Sequence, residues 1–545
     1  MSSGARRPCS ASRPRTRTPP KSRGRFTSTF PRPKENRHPG AGDRVNKLRL
    51  TDLIGGEGTV LARGEAATNV DITGLASDSR EVRPGYLFAA LPGHAHDGRA
   101  FIADAVRRGA RALLAPAGTA GQLPVREVPG LDALPVIEDT EPRRRFALMA
   151  ARFYDAQPDV IAAVTGTNGK TSVASFTRQI WTHLGRGAAS LGTLGVSAPG
   201  IEEPGALTTP DPAHLHATLA RIARAGATHL CMEASSHGIE QFRLDGVRLT
   251  AAAFTNLTRD HLDYHGTEEN YFAAKARLFS ELLPADGFAV INADIPQYAA
   301  LAAIAARRGQ RVIGYGASGQ DVGIRRARAH GLGQMATFAV AGRDRDLHVP
   351  LVGGFQLHNV ACAVGLAIAT GASADDALDA VGGLKGAPGR MELVGARANG
   401  AAVFVDYAHT PDALANVLAS LRPHARGRLV VVFGCGGDRD RGKRPEMGRI
   451  ASRAADSVIV TDDNPRTEDA AAIRREVLAG TDGRAREIGD RGDAIRAAVG
   501  SLAASDVLVV AGKGHERGQI VGDRTLPFFD ADAVRRAIAE CEGGR

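Results

Sequence analysis

A lysine and a threonine in one short segment are the residues of this chain best suited to chemistry. The apolar run Val160–Val164 predicts a buried strand, and a helical pattern runs from Val173 to Leu184. In a strand, loop and helix unit, backbone N–H groups and the helix dipole face an anion, Lys neutralises phosphates and Thr can ligate Mg²⁺. We therefore predict a nucleotide phosphate loop rather than an ordinary strand-to-helix turn. Its residues are Gly166, Thr167, Asn168, Gly169, Lys170, Thr171 and Ser172.

Further polar segments follow predicted strands directly, where a parallel sheet presents its carboxyl edge. Such loops share one edge of the sheet and converge on a crevice, and a carboxylate there suits Mg²⁺. In the middle of the chain these segments are residues 233–238 and 255–263, and towards the C-terminus they are 406–412, 434–438, 461–466 and 512–516. Two polar loops near the N-terminus, 77–80 and 92–99, taken alone indicate surface turns. Lys275 falls in a helical pattern and, by pattern alone, lies on a helix surface.

Alternating strands and helices position these segments and predict an α/β protein. We divide the 545 residues into a first domain at 46–155, a central domain at 156–386 that carries the phosphate loop, and a C-terminal domain at 387–545. Five scattered Cys without a CxxC pair indicate neither zinc nor disulfides and fit a reducing cytosol. No charge-free apolar run reaches the length of about 18 residues that a membrane span needs.

The net charge of +10 belongs to the first 45 residues alone. They hold twelve Lys/Arg and two Asp/Glu, so the remainder is neutral, which argues against a nucleic-acid-binding body. This segment is rich in Arg, Pro, Ser and Thr and lacks a secretory apolar core, and it is predicted to be a disordered basic tail. It is either a dispensable extension, or the product of an unused upstream start codon, or an interaction arm.

Together these segments resemble the Mur ligase family, the ATP-dependent amide ligases of peptidoglycan precursor synthesis. The resemblance covers about residues 46–545. It rests on the motifs TGTNGKT at 165–171, EASSHG at 233–238, 256–263, His358-Asn359, GRME at 389–392 and DYAH at 406–409. The best match within the family is the member that adds the third peptide residue. The motif DNPR at 463–466 resembles the branch that adds meso-diaminopimelate rather than lysine.

The resemblance implies a fold and a reaction. The fold has a small α/β substrate domain, a central P-loop ATPase-like parallel sheet and a C-terminal Rossmann-like doubly wound sheet. ATP activates the D-glutamate carboxylate of UDP-N-acetylmuramoyl-L-alanyl-D-glutamate as an acyl phosphate, which the amine of meso-diaminopimelate attacks. Expected cofactors are ATP, two Mg²⁺ ions and CO₂ held as a lysine carbamate. The enzyme is expected to be a cytoplasmic monomer of cell-wall synthesis, with no nucleic acid partner and no membrane insertion.

The resemblance also implies residue roles. Catalysis is expected of Lys170, Glu233, His261, Lys275 and His409. Mg²⁺ ligands are expected to be Thr171, Glu233, His261 and Lys275, the last as N6-carboxylysine. Besides the phosphate loop, ATP is expected to contact Asn256, Asn359 and Asp406. The UDP-substrate is expected at Ser77, Ser79, His94, Ala95, His96, Thr208, Thr209, Ser235, Gln241 and Arg243. Diaminopimelate is expected at Arg390, Asp463, Asn464, Pro465, Arg466, Gly512 and Glu516.

One departure and two alternatives accompany the resemblance. Leu207 precedes Thr208 where related enzymes often have Asn, which removes one expected substrate hydrogen bond. Folylpolyglutamate synthase shares the loop and the mechanism, but a pterin substrate gives no reason for the 77–80 and 463–466 motifs. A P-loop switch or a nucleic-acid-binding protein with a basic arm is the alternative of another class, and the neutral body argues against it.

Overall fold

The computed structural model describes residues 47–543 except 56–59, 64–69, 94–95, 125, 206 and 259. The predicted tail at 1–45 and the predicted substrate residues His94 and Ala95 lie outside the described residues. Three main sheets follow one another along the chain, each with helices, so the predicted α/β class is confirmed. The domain boundaries at 155/156 and 386/387 stay predictions. No helix in the described ranges is long and apolar enough to cross a membrane.

The first sheet has five strands in the order β2-β7-β6-β5-β4, parallel except for β2. The elements are β1 Leu48–Arg49, α1 Leu50–Ile54, β2 Val60–Arg63, β3 Asp71–Ile72, β4 Gly74–Ala76, β5 Tyr86–Ala89, α2 Ile102–Arg107, β6 Ala112–Pro116, β7 Val136–Asp139 and α3 Pro142–Tyr154. Helix α3 places Phe146, Met149 and Phe153 at helical spacing in the same core as Leu87 and Leu114.

The central sheet has eleven strands in the order β11-β10-β9-β12-β8-β13-β14-β15-β16-β17-β18. Its strands are β8 Val160–Thr165, β9 Ala188–Gly192, β10 Gly195–Ala198, β11 Ile201–Glu203, β12 His229–Glu233, β13 Ala251–Phe254, β14 Phe288–Asn292, β15 Arg311–Gly316, β16 Val322–His330, β17 Gly333–Val340 and β18 Arg343–Val349. The predicted parallel sheet is correct for β9 to β16, whereas both edges are antiparallel hairpins.

The helices of the central part pack on both faces of that sheet. They are α4 Lys170–His183, α5 Pro212–Arg224, α6 Ser236–Glu240, α7 Leu262–His265, α8 Glu268–Arg277, α9 Tyr298–Arg308, α10 Gly354–Ala369 and α11 Ala374–Asp379. Helix α4 begins earlier than the sequence predicted, at Lys170 instead of Val173. Burial of Leu357 with Val360 extends α10 towards its N-terminus, so Asn359 lies inside the helix.

The C-terminal sheet has the order β19-β20-β24-β21-β22-β23, parallel except for β19. Its elements are β19 Glu392–Ala396, β20 Ala402–Asp406, α12 Pro411–Leu421, β21 Leu429–Phe433, α13 Lys443–Ala454, β22 Ser457–Val460, α14 Ala470–Leu478, β23 Arg486–Glu487, α15 Arg491–Gly500, β24 Val507–Ala511, β25 Gly518–Val521, β26 Arg524–Pro527 and α16 Asp530–Gly543. Helices cover both faces, which confirms the predicted doubly wound sheet.

Candidate active site

The loop between β8 and α4 has the backbone of an anion cradle. Gly166 and Gly169 have φ values of 139° and 91°, which side chains rarely adopt. A Cβ at Gly169 would lie 2.5 Å from Asn359 Oδ1, and one at Gly166 would overlap Thr255 Oγ1. Both positions therefore require glycine. The close approach at Gly169 places Asn359, which is predicted to contact ATP, directly against the loop.

The segment after β13 braces the phosphate loop from the side. Asn168 N–H donates to Asn256 Oδ1 at 2.9 Å, and Asn256 Nδ2 donates to Asn168 O at 3.2 Å. Thr255 Oγ1 donates to Asn168 O at 2.6 Å. Asn256, which is predicted to contact ATP, thus also stabilises the loop by hydrogen bonds. Thr255 stabilises the loop in the same way, and it was not among the predicted site residues.

Two lysines converge on one carbonyl oxygen of the loop. Lys170 Nζ donates to Gly166 O and Thr167 O, both at 2.9 Å, and Lys275 Nζ donates to Gly166 O at 3.0 Å. Lys275 is 1% exposed and lies 4.4 Å from the centre of the Tyr271 ring. The helix-surface interpretation of Lys275 is therefore wrong, because tertiary packing buries that face of α8.

The surroundings of Lys275 disfavour its charged form. Burial, and then the positive charge of Lys170, place the pKa of Lys275 well below its usual value. Burial also lowers the pKa of Lys170. Tyr271 links Lys275 to the phosphate loop, since its ring packs against Lys275 and its OH lies 3.3 Å from Thr167 Oγ1 in the loop. Lys275 is thus suited to react as a neutral amine.

Oxygen atoms suited to Mg²⁺ lie beside the first turn of α4. Thr171 Oγ1 donates to Glu233 Oε1 at 3.0 Å, and Thr193 N–H donates to the same oxygen at 2.8 Å. His261 is exposed, with Nε2 3.5 Å from Asp260 Oδ2. Within the described ranges no three His, Cys, Asp or Glu side chains are grouped to hold a metal. The structure thus brings Thr171 and Glu233 together, and the recorded ring contacts of His261 are with His237 and Tyr271.

Most predicted peptide-binding residues form one hydrogen-bonded cluster. Thr209 Oγ1 donates to Glu233 O and accepts from Ser235 N–H, both at 3.1 Å. Arg243 donates to Thr209 O and to Gln241 Oε1, both at 2.7 Å. Thr208 Oγ1 lies 2.9 Å from Thr193 Oγ1, which in turn donates to Glu233 Oε2 at 3.2 Å. The cluster therefore adjoins the Glu233 carboxylate.

The described members of the predicted uridine-binding set are Ser77, Ser79 and His96, which lie on loops of the first sheet. Ser79 is buried in a short 3₁₀ turn after β4, and Ser77 is partly exposed. His96 is exposed, with its ring edge-on to Phe101 at 6.3 Å. The resemblance alone supports their assignment to the uridine part, which stays a prediction.

The end of β20 orders the loop that precedes β19. Asp406 is buried, and its carboxylate accepts from Met391 N–H at 2.6 Å and Ala408 N–H at 2.8 Å. Burial raises the pKa of this carboxyl group. Arg390 lies over the Tyr407 ring at 4.2 Å. His409 is exposed, and its Nδ1 donates to Tyr407 O at 2.8 Å.

The predicted amino-acid residues lie on loops after β22 and β24. Asn464 Nδ2 donates to Glu516 Oε2 at 2.8 Å, which joins the two loops directly. Asp463 is buried, its pKa is raised by burial, and its Oδ2 has no hydrogen-bond partner among the described residues. A Cβ at Gly512 would lie 2.6 Å from this oxygen, so glycine is needed where the loops approach each other.

A hairpin of β25 and β26 fixes Arg466. Arg466 N–H donates to Ile520 O at 3.0 Å, and Gly522 N–H donates to Arg466 O at 2.7 Å. Arg466 has a φ of 52° and donates from Nη1 to Gly437 O at 2.9 Å. The hairpin therefore holds both the backbone N–H and the backbone carbonyl of Arg466.

Several residues of the site were missed from the sequence. They are Thr193, Thr255, Tyr271 and Lys513. Tyr271 stands four residues before Lys275, the spacing at which helical side chains meet. That signal was available, as was the position of Lys513 between Gly512 and Glu516. Thr193 gave no signal, because its contact with Glu233 spans 40 residues of chain.

Three family models match the chain in succession. "Mur ligase family, catalytic domain" matches residues 71–154, "Mur ligase middle domain" matches 164–367, and "Mur ligase, glutamate ligase domain" matches 389–514. A Rhizobium meliloti protein named UDP-N-acetylmuramoyl-L-alanyl-D-glutamate–2,6-diaminopimelate ligase is 54% identical over 495 residues, 90% of this chain and 99% of that protein.

Solved structures show the same relationship. One of a protein with that ligase name is 33% identical, with a TM-score of 0.65, and covers 89% of this chain and 100% of its own. A Mycobacterium tuberculosis folylpolyglutamate synthase complexed with ADP and AMPPCP is 21% identical, with a TM-score of 0.56, over 74% of this chain and 95% of its own. The latter likeness shows a shared fold alone.

Proposed function

The chain belongs to the Mur ligase family, and we propose that it is the ATP-dependent ligase that joins meso-diaminopimelate to UDP-N-acetylmuramoyl-L-alanyl-D-glutamate. The observation that carries the proposal is the 54% identity to a relative named for this reaction, over 99% of that relative. The motifs at 165–171 and 463–466 are both present. The product belongs to peptidoglycan precursor synthesis, and we further propose that the enzyme works as a cytoplasmic monomer without membrane insertion.

The proposed reaction has two steps. The γ-carboxylate of the D-glutamyl residue attacks the γ-phosphate of ATP, and ADP leaves as the acyl phosphate forms. An uncharged amino group of diaminopimelate then attacks the acyl carbon, phosphate leaves, and an amide bond remains. Lys170 and the cradle N–H groups neutralise charge on the transferred phosphoryl group. Asn359 and Asp406 are proposed at adenine and ribose between the central and C-terminal domains, and closure of the latter excludes water from the acyl phosphate.

We propose that Lys275 is carboxylated by CO₂. Only an uncharged amine attacks CO₂, and the surroundings of Lys275 lower its pKa well below the usual value. Its Nζ shares Gly166 O with Lys170 Nζ, so a carbamate at this position would attract the Lys170 ammonium, whereas a second ammonium would be repelled by it. Carboxylation thus offsets the burial of a lysine that, within the described residues, has no carboxylate in contact with its Nζ.

The carbamate and Glu233 are proposed as Mg²⁺ ligands, with Thr171 and His261 completing two sites. Carboxylate and hydroxyl oxygens are the donors that Mg²⁺ prefers, and bound Mg²⁺ neutralises phosphate charge. Glu233 already accepts hydrogen bonds from Thr171 and Thr193, which orient it beside the loop. His261 is exposed and must approach the ion from the loop before α7.

Each substrate has a proposed place around this centre. The uridine part is proposed at Ser77, Ser79, His94-Ala95-His96, and the peptide at Thr208, Thr209, Ser235, Gln241 and Arg243. The Arg243 guanidinium suits the negative charge of the peptide. In the C-terminal domain, Arg466 is proposed to pair with the distal carboxylate of diaminopimelate, and Glu516 with its distal ammonium. Arg390, Asp463, Asn464, Pro465 and Gly512 form the rest of that pocket.

Amino-acid-dependent release of phosphate from ATP tests the proposed function. With UDP-N-acetylmuramoyl-L-alanyl-D-glutamate and Mg²⁺ present, meso-diaminopimelate should support release and L-lysine should support little. Mass spectrometry should find the tripeptide product. Release with a folate and glutamate, or release that needs no amino acid, would contradict the proposal in favour of a synthase of the other kind or a nucleotide switch.

A further inference from the structure

A buried lysine without an assigned role lies behind the amino-acid loops. Lys513 follows β24, and its side chain is 0% exposed. Its Nζ donates to Asn464 Oδ1 and to Glu516 Oε2, both at 3.0 Å. Desolvating an ammonium group is costly unless partners compensate for the lost water. The position of Lys513 therefore depends on Asn464 and Glu516, and theirs depends on Lys513.

The contacts of Asn464 fix which way its amide faces. Its Oδ1 accepts from Lys513 Nζ at 3.0 Å and from Ile520 N–H at 2.9 Å. Its Nδ2 donates to Glu516 Oε2 at 2.8 Å. Because both neighbours of Oδ1 are donors and the neighbour of Nδ2 is an acceptor, a flipped amide would lose all three bonds.

The two carboxylate oxygens of Glu516 have different contacts. Oε2 accepts from both Asn464 and Lys513, while Oε1 has no hydrogen bond among the described residues. One oxygen is thus held in place and the other remains for a ligand. Burial acts to raise the pKa of this carboxyl group, but the charge of Lys513 and the bonds from Asn464 and Lys513 lower it overall.

We propose that Lys513 is a positioning and specificity-determining residue, which keeps Glu516 ionised and Asn464 oriented so that Glu516 Oε1 receives the distal ammonium of the incoming diamino acid. Lys513 itself stays behind the pocket and touches no substrate. The inference rests on the proposed function, since it concerns the amino acid that the ligase adds.

Other charged groups also act on Glu516 and must be held constant in a test. Those that interact with it are Asp463, Tyr407, His515, Arg491 and Lys513. Of these, Lys513 alone has a described hydrogen bond to the Glu516 carboxylate. Replacing Lys513 by Met removes the charge and keeps an unbranched side chain of similar bulk, and Lys513→Gln keeps a donor without the charge.

The test is the steady-state and pH behaviour of these two variants. The KM for diaminopimelate should rise about 10- to 100-fold, as when partners that orient ligating groups are lost. The KM values for ATP and the UDP-substrate should stay within about twofold of wild type. The acid limb of kcat/KM for diaminopimelate should move to higher pH, because Glu516 then protonates more readily. Arg428→Met is the matched control. Arg428 and Asp506 form an ion pair in the same sheet, but at the amino-terminal ends of β21 and β24, away from the amino-acid loops.

A double-variant cycle keeps the test decisive if a single variant is unstable. Lys513→Met with Glu516→Gln removes both charges, so no buried charge is left alone. If Lys513 acts through Glu516, the double variant has the same KM for diaminopimelate as Glu516→Gln alone. Additive losses, or an unchanged KM and acid limb in Lys513→Gln, overturn the proposal. Failure of the wild-type enzyme to use diaminopimelate would instead overturn the proposed function.

Discussion

Two buried lysines, Lys275 within α8 and Lys513 directly after β24, have opposite surroundings. Lys275, beside the phosphate loop, meets a backbone carbonyl, an aromatic ring and a second lysine. Lys513, beside the amino-acid loops, meets a carboxylate and an amide oxygen at 3.0 Å. Among the described residues no carboxylate contacts Lys275 Nζ, whereas the Glu516 carboxylate contacts Lys513 Nζ. Burial alone therefore does not determine what a lysine does, and its partners do.

The difference matches two tasks. In the proposed reaction the phosphate side gathers oxygen ligands around Mg²⁺, and we propose that a neutral Lys275 supplies one of them by taking up CO₂. The amino-acid side must present fixed charges to a zwitterionic substrate, and Lys513 keeps Glu516 and Asn464 in place. We expect substitutions in the first region to stop chemistry, and those in the second to weaken binding of one substrate.

The largest expected effect separates Lys275 from Lys170. Lys275→Ala and Lys170→Ala should each reduce kcat by at least about 1,000-fold, since each removes charge stabilisation from the phosphoryl transfer. Added short carboxylates such as acetate should partly restore Lys275→Ala by replacing the carbamate, and should not restore Lys170→Ala. Steady-state phosphate release measures both, with the exposed Glu269→Ala on the same helix as control. Near-normal turnover of Lys275→Ala would end the carbamate proposal.

The next effect tests the amino-acid side. Arg466→Ala and Arg466→Lys should raise the KM for diaminopimelate steeply, because Lys cannot copy the two parallel bonds of a guanidinium to a carboxylate. Loss of such a charged partner costs about 2–5 kcal/mol, roughly 30- to 5,000-fold in affinity. The KM values for ATP and the UDP-substrate should hardly change. Arg439→Ala, at an exposed neighbouring position, is the control. A KM for diaminopimelate that is the same in Arg466→Ala as in Arg439→Ala would contradict the assignment.

The two lysines should also differ in the sign of their effect on stability. Because the folded pKa of Lys275 is depressed, the unfolded chain binds the extra proton at neutral pH, and this destabilises the fold below the unfolded pKa. Lys275→Met should therefore raise the melting temperature at pH 7 in CO₂-depleted buffer. Lys513→Met leaves the partly exposed Glu516 carboxylate without its cation and should lower the melting temperature. The loss in free energy of unfolding should be smaller than the about 3–5 kcal/mol that breaking a fully buried pair costs. Calorimetry showing the same sign for both would contradict the comparison.

The smallest expected effect concerns the tail. Every predicted site residue lies beyond residue 45, so removal of residues 1–45 should change kcat/KM by less than about tenfold, or about 1.4 kcal/mol. A larger loss in the truncated enzyme, measured with all three substrates, would show that the tail takes part in catalysis.

The sequence was informative where a residue type is dictated by its local backbone, and less so where partners come from far along the chain. The phosphate loop, the strand ends at Glu233 and Asp463, and the doubly wound sheet followed from local patterns. The burial of Lys275 did not, since the helical pattern around it has apolar residues on several sides. The contacts of Lys513 with Asn464, 49 residues away, and of Thr193 with Glu233 depend on sheet order, which the local pattern does not specify. The antiparallel edges of the central sheet were missed for the same reason.

Carbon-13 NMR of the enzyme equilibrated with labelled bicarbonate tests the central claim most directly. A neutral buried amine at Lys275 should give one carbamate signal in the wild-type protein. The signal should be absent from Lys275→Ala and retained in Lys513→Met, because the latter lysine is paired with Glu516. No carbamate in wild type, or a signal that persists in Lys275→Ala, would contradict the account.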